Sequence, residues 1–383
     1  MDQIKVLVVD DSSLMRKLIT NMVEKDEEVK VIDTALNGIF ALKKIEKRDP
    51  DVILLDIEMP EMNGVEFLEK ARELKIDIPI IILSSLGKNR PELTLKCLDM
   101  GAKDFIIKPS GTISLDIELV QEEVISKIKY FYREHPRHKV DKKELKTAIE
   151  KIDKTKEPLI VEPITLPEKK EETPKKDIVT NIHEKVESLN RLDILAIGIS
   201  TGGPYALRKI LPLFPSTFPL PIVIVQHMPS GFTNEFANGL NEICKLQVKE
   251  AEENDLIERG KIYISPGDKH LKVKRLDHHS VLHLSDEEAI NGHKPSVEAL
   301  FDSILDHYGK HIISIIMTGM GKDGARAIRR IRQNGGITFA QSEETCVVFG
   351  MPKVAIELDG IDEVINLDDI PKRIMEVTSM IMS

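Results

Sequence analysis

Short Val- and Ile-rich runs alternate with amphipathic stretches along this chain, and one long polar segment breaks the alternation. That pattern constrains the fold more than any other feature. Residues 1 to about 132 carry KVLVVD, KVIDTA, DVILLD, PIIILSS and KDFIIK, with SLMRKLITNMVEK and NGVEFLEKARELK between them. Strands that are apolar throughout bury both faces. Strand and helix in alternation then give a parallel sheet covered by helices on both sides. The amphipathic SLDIELVQEEVISKIKYFYRE is expected to be the last helix of this unit. From about residue 190 the alternation resumes, with DILAIGIS, LPIVIVQ, KIYISP and HIISIIMT as strands and ALRKILPLF and GARAIRRIRQN as helices. KVKRLDHHSVLHLSD reads as an antiparallel hairpin decorating the second sheet. The segment between, 133–189, is rich in Lys, Glu and Pro and poor in large apolar residues, so it reads as a tether. The expectation is an α/β chain of two doubly wound parallel-sheet domains, 1–132 and 190–383, joined by a charged, flexible linker.

The totals exclude several classes. A net charge of −10 and a pI near 5.7 argue against a nucleic-acid partner, which calls for a basic face. No apolar stretch is as long as a membrane span, so the chain is expected not to be membrane-inserted. The N-terminus runs directly into IKVLVVDD, which leaves no room for a signal peptide. Cys97, Cys244 and Cys346 are far apart, which suits a reducing cytoplasm and no zinc or disulfide framework.

In an α/β sheet, function collects where strands end. The first unit's strands end at Asp10-Asp11, Asp56, Ser84-Ser85 and Lys108-Pro109. Three carboxylates at one sheet edge repel unless a cation sits among them, and oxygen ligands of this kind suit Mg²⁺. A lysine and a hydroxyl beside them match what a phosphoryl group needs for its peripheral oxygens. This set resembles the receiver domain of two-component response regulators, over about residues 3 to 130. The resemblance implies that Asp56, in LLDIEMPEMNG, is the phospho-accepting residue. It implies Mg²⁺ held by Asp10, Asp11, Asp56 and the backbone carbonyl of Glu58, and a histidine kinase as partner. Ser84 stands at the switch hydroxyl, Lys108 pairs with the phosphoryl group, and Phe105 takes the rotameric aromatic's place. The Lys108–Pro109 bond is expected to be cis.

The second unit has its own constellation. Gly198-Ile199-Ser200-Thr201-Gly202 sits between an apolar run and an amphipathic one, a strand–turn–helix with a hydroxyl at its apex. Such a turn exposes Oγ, and the free N–H groups of the helix start can face a developing oxyanion. PIVIVQ ends at His227, and HIISIIMT runs into Thr318-Gly319-Met320-Gly321-Lys322-Asp323-Gly324. His227 can take the proton from Ser200, and Asp323 can fix the imidazole's tautomer. The order Ser, His, Asp differs from the Ser, acid, His of α/β-hydrolases. Asp268, His270 and His293 remain open as rival partners. Gly319-x-Gly321-x-x-Gly324, with Glu343 downstream, also fits a dinucleotide fingerprint, which would make the unit a nucleotide-binding module.

GISTGGP, QHMPSGFT, MTGMGKDGA and AQSEETCVVFGMP together resemble the chemotaxis protein-glutamate methylesterase family. The resemblance implies a flavodoxin-like receiver fused to a Rossmann-like esterase domain. It implies hydrolysis of glutamate γ-methyl esters on methyl-accepting chemoreceptors, with glutamine deamidation in many members, and no cofactor in the esterase site. A chemotaxis histidine kinase is the implied activator, and the opposing methyltransferase an indirect partner. Ser200 is then the nucleophile, His227 the base, Asp323 its orienter and Met320 N–H an oxyanion donor. The turn geometry adds Thr201 N–H as a second donor. A scaffold that keeps this fold without activity is the other alternative to the nucleotide-binding module.

Overall fold

The computed structural model describes residues 3–85, 90–108, 116–135, 145, 146, 149 and 182–382. Strands β1 (Ile4–Val9), β2 (Val29–Ala35), β3 (Val52–Asp56), β4 (Ile80–Ser84) and β5 (Asp104–Ile107) form the first sheet. Helices α1 (Ser13–Val23), α2 (Gly38–Arg48), α3 (Gly64–Glu73), α4 (Arg90–Asp99) and α5 (Asp116–Glu134) alternate with them. The strands run parallel in the order β2-β1-β3-β4-β5. Val52, Ile53, Leu54 and Leu55 are wholly buried, because β3 lies mid-sheet between two helical layers. Local signals set the helix starts. Asn63 and Glu66 form a reciprocal capping box at α3, and the Asn37 side chain caps α2.

The second unit follows a short helix α6 (Ile182–Ser188). It contains β6 (Ile194–Ile199), α7 (Gly203–Ile210), β7 (Ile222–Gln226), α8 (Phe232–Ile243), β8 (Gln247–Glu250) and β9 (Lys261–Ile264). A hairpin of β10 (His270–Leu276) and β11 (His279–Ser285) comes next, then α9 (Val297–Tyr308) and β12 (Ile312–Ile316). The chain ends with α10 (Ala325–Gln333), β13 (Ile337–Gln341), α11 (Met351–Glu357), β14 (Glu363–Ile365) and α12 (Ile370–Met382). The seven-stranded sheet is parallel, ordered β14-β13-β12-β6-β7-β9-β8. The hairpin does not join it. Leu271, Val273 and Leu282 share a core cluster with Leu300 and Ile304 of α9, so the hairpin forms its own two-stranded sheet packed on that helix.

The segment expected as a tether is not wholly one. Leu145 and Ile149, four residues apart, are buried in a cluster that spans both units. Lys185 of α6 donates to Arg332 O, Gly336 O and Asp362 Oδ2, which anchors the end of the segment on the second unit. Two apolar residues spaced by one helical turn share a face, so they can pack even from a highly charged stretch.

The two units touch through named rings. Phe105 at the end of the first sheet stacks on Phe232 of α8, with centroids 5.6 Å apart. Tyr205 of α7 meets Tyr130 and Phe131 of α5 edge-on at 6.0 and 5.3 Å. Asp99 of α4 pairs with Arg208 of α7. No helix among the described residues is long and apolar enough to cross a membrane.

Candidate functional site

In the first sheet the order reverses between β1 and β3, and the acidic residues stand at that crevice. Carboxylate oxygens of Asp10, Asp11 and Asp56 lie within 4.8 Å of one another. Lys108 Nζ reaches Asp10 Oδ2 at 2.6 Å and Asp56 Oδ1 at 2.8 Å. Burial raises the Asp56 pKa, Lys108 opposes the rise and Asp10 adds to it. Such a carboxylate favours a cation beside it, and three oxygen donors at this spacing fit Mg²⁺. Glu58 turns its side chain to Arg90 at 2.5 Å, and with Asp11 it lines a neighbouring pocket. Ser84 Oγ bonds Thr94 Oγ1 of α4 at 2.7 Å, so the candidate switch hydroxyl is tied to a helix of the domain interface. The expected cis bond at Lys108–Pro109 lies outside the described residues.

The second site sits where β6 lies between β12 and β7. Ser200 directly follows β6, His227 directly follows β7, and Asp323 lies in the loop after β12, just before Gly324. Three adjacent strand ends therefore bring together residues up to 123 positions apart, the difference between 323 and 200. Ser200 N donates to Thr318 O at 2.9 Å, which ties the turn to the β12 loop. His227 Nε2 and Asp323 Oδ2 are 2.9 Å apart. The other ring nitrogen, Nδ1, is buried and has no hydrogen-bond partner among the described residues. The imidazole lines the same cavity as Ser200, about 170 Å³ in volume. With Nε2–H donated to the carboxylate, Nδ1 carries the lone pair and can serve as base.

Asp323 is fully buried. Its Oδ2 also accepts from Val297 N at 2.7 Å, and Oδ1 accepts from Ser296 Oγ at 2.8 Å and Asn291 Nδ2 at 3.0 Å. Burial alone would raise its pKa. The hydrogen bonds from His227, Asn291 and Ser296 outweigh that and hold it at about 2. The rivals have other occupations. His270 is buried, with Nε2 on Glu288 O and Nδ1 accepting from Ser296 N. Asp268 sits at a turn with φ of 62°. His293 stacks on His227 with centroids 3.9 Å apart, and burial, then the charge of His227, lowers its pKa to about 4. It is therefore a neutral plate at neutral pH. Burial raises all three cysteine thiols, Cys97 to about 12 and Cys244 to about 11, so none is a nucleophile at neutral pH.

The glycines of the β12 loop serve this site. A methyl group added at Gly319 would stand 2.7 Å from Ser200 Cβ and 2.5 Å from Met351 Sδ. Gly319 O accepts from Gly350 N at 3.1 Å and Met351 N at 2.9 Å. In a trans peptide the N–H points opposite the C=O. Met320 N–H is thus aimed away from those two donors, and it makes no hydrogen bond among the described residues. Glu343 belongs to a 3₁₀ turn after β13. Gly319→Ala is expected to displace Ser200 and lower kcat about a hundredfold, the typical cost of a misplacement near 1 Å. Steady-state turnover of an ester substrate checks this, and an unchanged kcat would contradict the close approach.

Comparison with known proteins decides the lineage. A CheB methylesterase family matches residues 195–374, and a response regulator receiver domain family matches residues 6–119. A Treponema denticola protein named protein-glutamate methylesterase/protein-glutamine glutaminase is 45% identical over 378 residues, covering 96% of each chain. This chain belongs to the protein-glutamate methylesterase family. A Methanococcus maripaludis methylesterase is 38% identical and covers all of both chains. The catalytic domain of Thermotoga maritima CheB methylesterase is a solved structure 42% identical to this chain. It covers 49% of this chain and 98% of that one, with a TM-score of 0.48. A methylesterase lineage accounts for a serine, a histidine and an aspartate at adjacent strand ends, where a nucleotide-binding module would leave Ser200 and His227 without a role.

Two residue groups at this site carry no chemical signal in the sequence. Gln226 was visible only as the polar end of a strand, and its Nε2 donates to Ser200 O and His227 O. Asn291 and Ser296 lie in NGHKPS, where only His293 carried a chemical signal. Polar side chains that position others have no spacing rule to reveal them.

Proposed function

We propose that this chain hydrolyses glutamate γ-methyl esters on chemoreceptors, releasing methanol, and deamidates selected receptor glutamines, under control of phosphorylation at Asp56. A receiver over 1–132 would govern an esterase unit over 190–383. The observation that carries this reading is the shared cavity. Ser200, Thr201, Gln226 and His227 line one side of it, and Asp104, Phe105 and Lys127 of the receiver line the other. The receiver lies over the candidate nucleophile.

The chemistry follows from the atoms. Ser200 Oγ attacks the γ-carbonyl carbon while its proton passes to His227 Nδ1. Asp323, ionised, stabilises the imidazolium through Nε2–H. The tetrahedral oxyanion is held by Met320 N–H and Thr201 N–H. Collapse breaks the bond to the methoxy oxygen, which takes the proton from His227 and leaves as methanol. Water then attacks the acyl-serine with His227 again as base, giving the glutamate carboxylate and free Ser200. For a glutamine side chain the leaving group is ammonia.

Control starts at the other crevice. Asp10, Asp11, Asp56 and the Glu58 carbonyl are the groups that would hold Mg²⁺. Bound there, the ion would neutralise charge between the carboxylates and an incoming phosphoryl group. Lys108 and Ser84 would take the phosphoryl oxygens, which draws Ser84 from Thr94 on α4 and so disturbs the interface that α4 shares with α7. The histidine kinase and the receptors are the partners this reading requires, and it places the chain in the cytoplasm.

Methanol released from methyl-labelled receptor by the full chain tests the reading, and no release above the uncatalysed rate would refute it. Phosphorylation of Asp56 by a small phosphodonor is expected to fail in excess chelator and recover on adding Mg²⁺. Labelling at an undiminished rate in chelator would contradict the metal assignment.

A further inference from the structure

Gln226 is a buried amide beside the nucleophile, 2% exposed, at the last position of β7. Its Nε2 donates two hydrogen bonds of 3.0 Å, one to Ser200 O and one to His227 O. One side chain therefore grips the backbone of both the serine and the histidine. Ser200 O is the carbonyl of the peptide whose other end is Thr201 N–H. The two groups of a trans peptide point in opposite directions. Fixing the carbonyl on one side thus fixes where Thr201 N–H points on the other. Gly203 N also reaches Ser200 O, at 2.8 Å, so that carbonyl has donors from two directions. Thr201 N–H itself makes no hydrogen bond among the described residues.

The second candidate donor is built the same way. Gly319 O is held by Gly350 N and Met351 N, which sets the Gly319–Met320 peptide and with it Met320 N–H. In both cases the protein pins a peptide by its carbonyl and leaves the N–H free. The difference is that one of the two donors to Ser200 O is a side chain, which a single substitution can remove. The amide fits tightly. A side chain at Gly203 would run into Gln226 Oε1, so the two positions are matched in shape.

We infer that Gln226 is a positioning residue for the oxyanion hole: it orients the Ser200–Thr201 peptide so that Thr201 N–H stabilises the tetrahedral intermediate, and it locks the His227 backbone to the same frame. The inference rests on the proposed esterase reading. It assigns Gln226 no contact with substrate. Its loss should therefore slow the chemical step and leave ground-state binding intact. Removing one oxyanion donor typically costs 10²–10³-fold in kcat.

The test uses the full chain, treated with phosphodonor and Mg²⁺, with methyl-labelled receptor as substrate. Gln226→Met keeps the length and removes the donor. Gln226→Glu keeps the shape and offers Ser200 O no N–H. Both are expected to lower kcat by roughly 10²–10³-fold with KM within about twofold of the parent. Affinity for an alkyl boronate, which forms a tetrahedral adduct with an activated serine, should fall in parallel with kcat/KM. A packing defect alone would lower the melting temperature without separating kcat from KM. A kcat within threefold of the parent in either folded variant would overturn the inference, as would a loss confined to KM. Ser200→Ala separates the two levels of failure. If the parent releases methanol and Ser200→Ala does not, an active Gln226 variant refutes only the positioning role. If the parent releases none, the esterase reading fails first.

Discussion

Ser200→Ala is expected to reduce methanol release by roughly 10⁶-fold while Asp56 still accepts a phosphoryl group. The magnitude is what loss of a serine nucleophile costs in a comparable triad. The specificity follows from the layout. Ser200 ends β6 of the second sheet, and Asp56 ends β3 of the first, so neither site supplies an atom to the other's chemistry. Removing one hydroxyl leaves the Ser200 N to Thr318 O bond in place, because that bond is made by backbone. Phosphate incorporated from a labelled small phosphodonor reads the first site, and labelled methanol reads the second. Near-normal methanol release would remove Ser200 from the mechanism.

The second large effect belongs to the acid. Asp323→Asn is expected to lower kcat about 10⁴-fold, as loss of an orienting carboxylate does in serine proteases. An amide can turn its NH₂ toward Nε2, which would then stay unprotonated and place the proton on Nδ1, the wrong nitrogen for a base. The imidazolium would also lose its counter-charge. The carboxyl is held at about 2, so it is ionised at neutral pH. Linkage has a definite sign here: a depressed carboxyl pKa contributes stability that is complete above the unfolded value and is lost as pH falls toward 2. Asp268→Asn, on a turn with no hydrogen bond to His227 among the described residues, is expected to change kcat by less than about threefold, since it removes no interaction made in the transition state. A reversed ranking of the two variants in methanol release would overturn the choice of acid.

Much of this arrangement is legible in the chain because strand ends are legible. Val/Ile runs that stop at Asp10, Asp56, Ser200 and His227 mark both crevices, and parallel sheets collect function there. Strand ends and spacing leave the acid open between Asp323 and its rivals, and only the family resemblance singles out Asp323 in the sequence. Asp323 is selected by Asn291, Ser296 and Val297, which reach it from a loop some 30 positions earlier, and no local pattern announces that loop. Gln226 was hidden for a related reason, since a glutamine at a strand end usually means only that the strand has reached solvent. The edge strand QVKE is hard to see because it is short, mostly polar and paired on one side only. Leu145 and Ile149 were hidden by the charge around them, although their spacing is helical. The hairpin was read correctly as antiparallel, but its placement on α9 depends on tertiary packing.

The receiver meets the esterase through a shared apolar cluster, aromatic rings and an ion pair. Phe105 stacks on Phe232, Tyr205 packs against Tyr130 and Phe131, and Asp99 pairs with Arg208. Lys127 donates to Phe105 O and pairs with Asp104 at 3.0 Å and Glu123 at 2.8 Å, which braces the phenylalanine from behind. Such an interface needs only a few kcal/mol of differential effect to open.

The most direct measurement is the rate of methanol release by the full chain with and without a small phosphodonor and Mg²⁺, run beside Asp56→Asn. Phosphorylation that uncovers Ser200 is expected to raise the parent's rate by about tenfold or more, the change that ~1.4 kcal/mol of differential effect produces. Asp56→Asn should stay at the unstimulated rate under the same conditions. Equal rates for the parent with and without phosphodonor, at demonstrated phosphorylation of Asp56, would contradict the account.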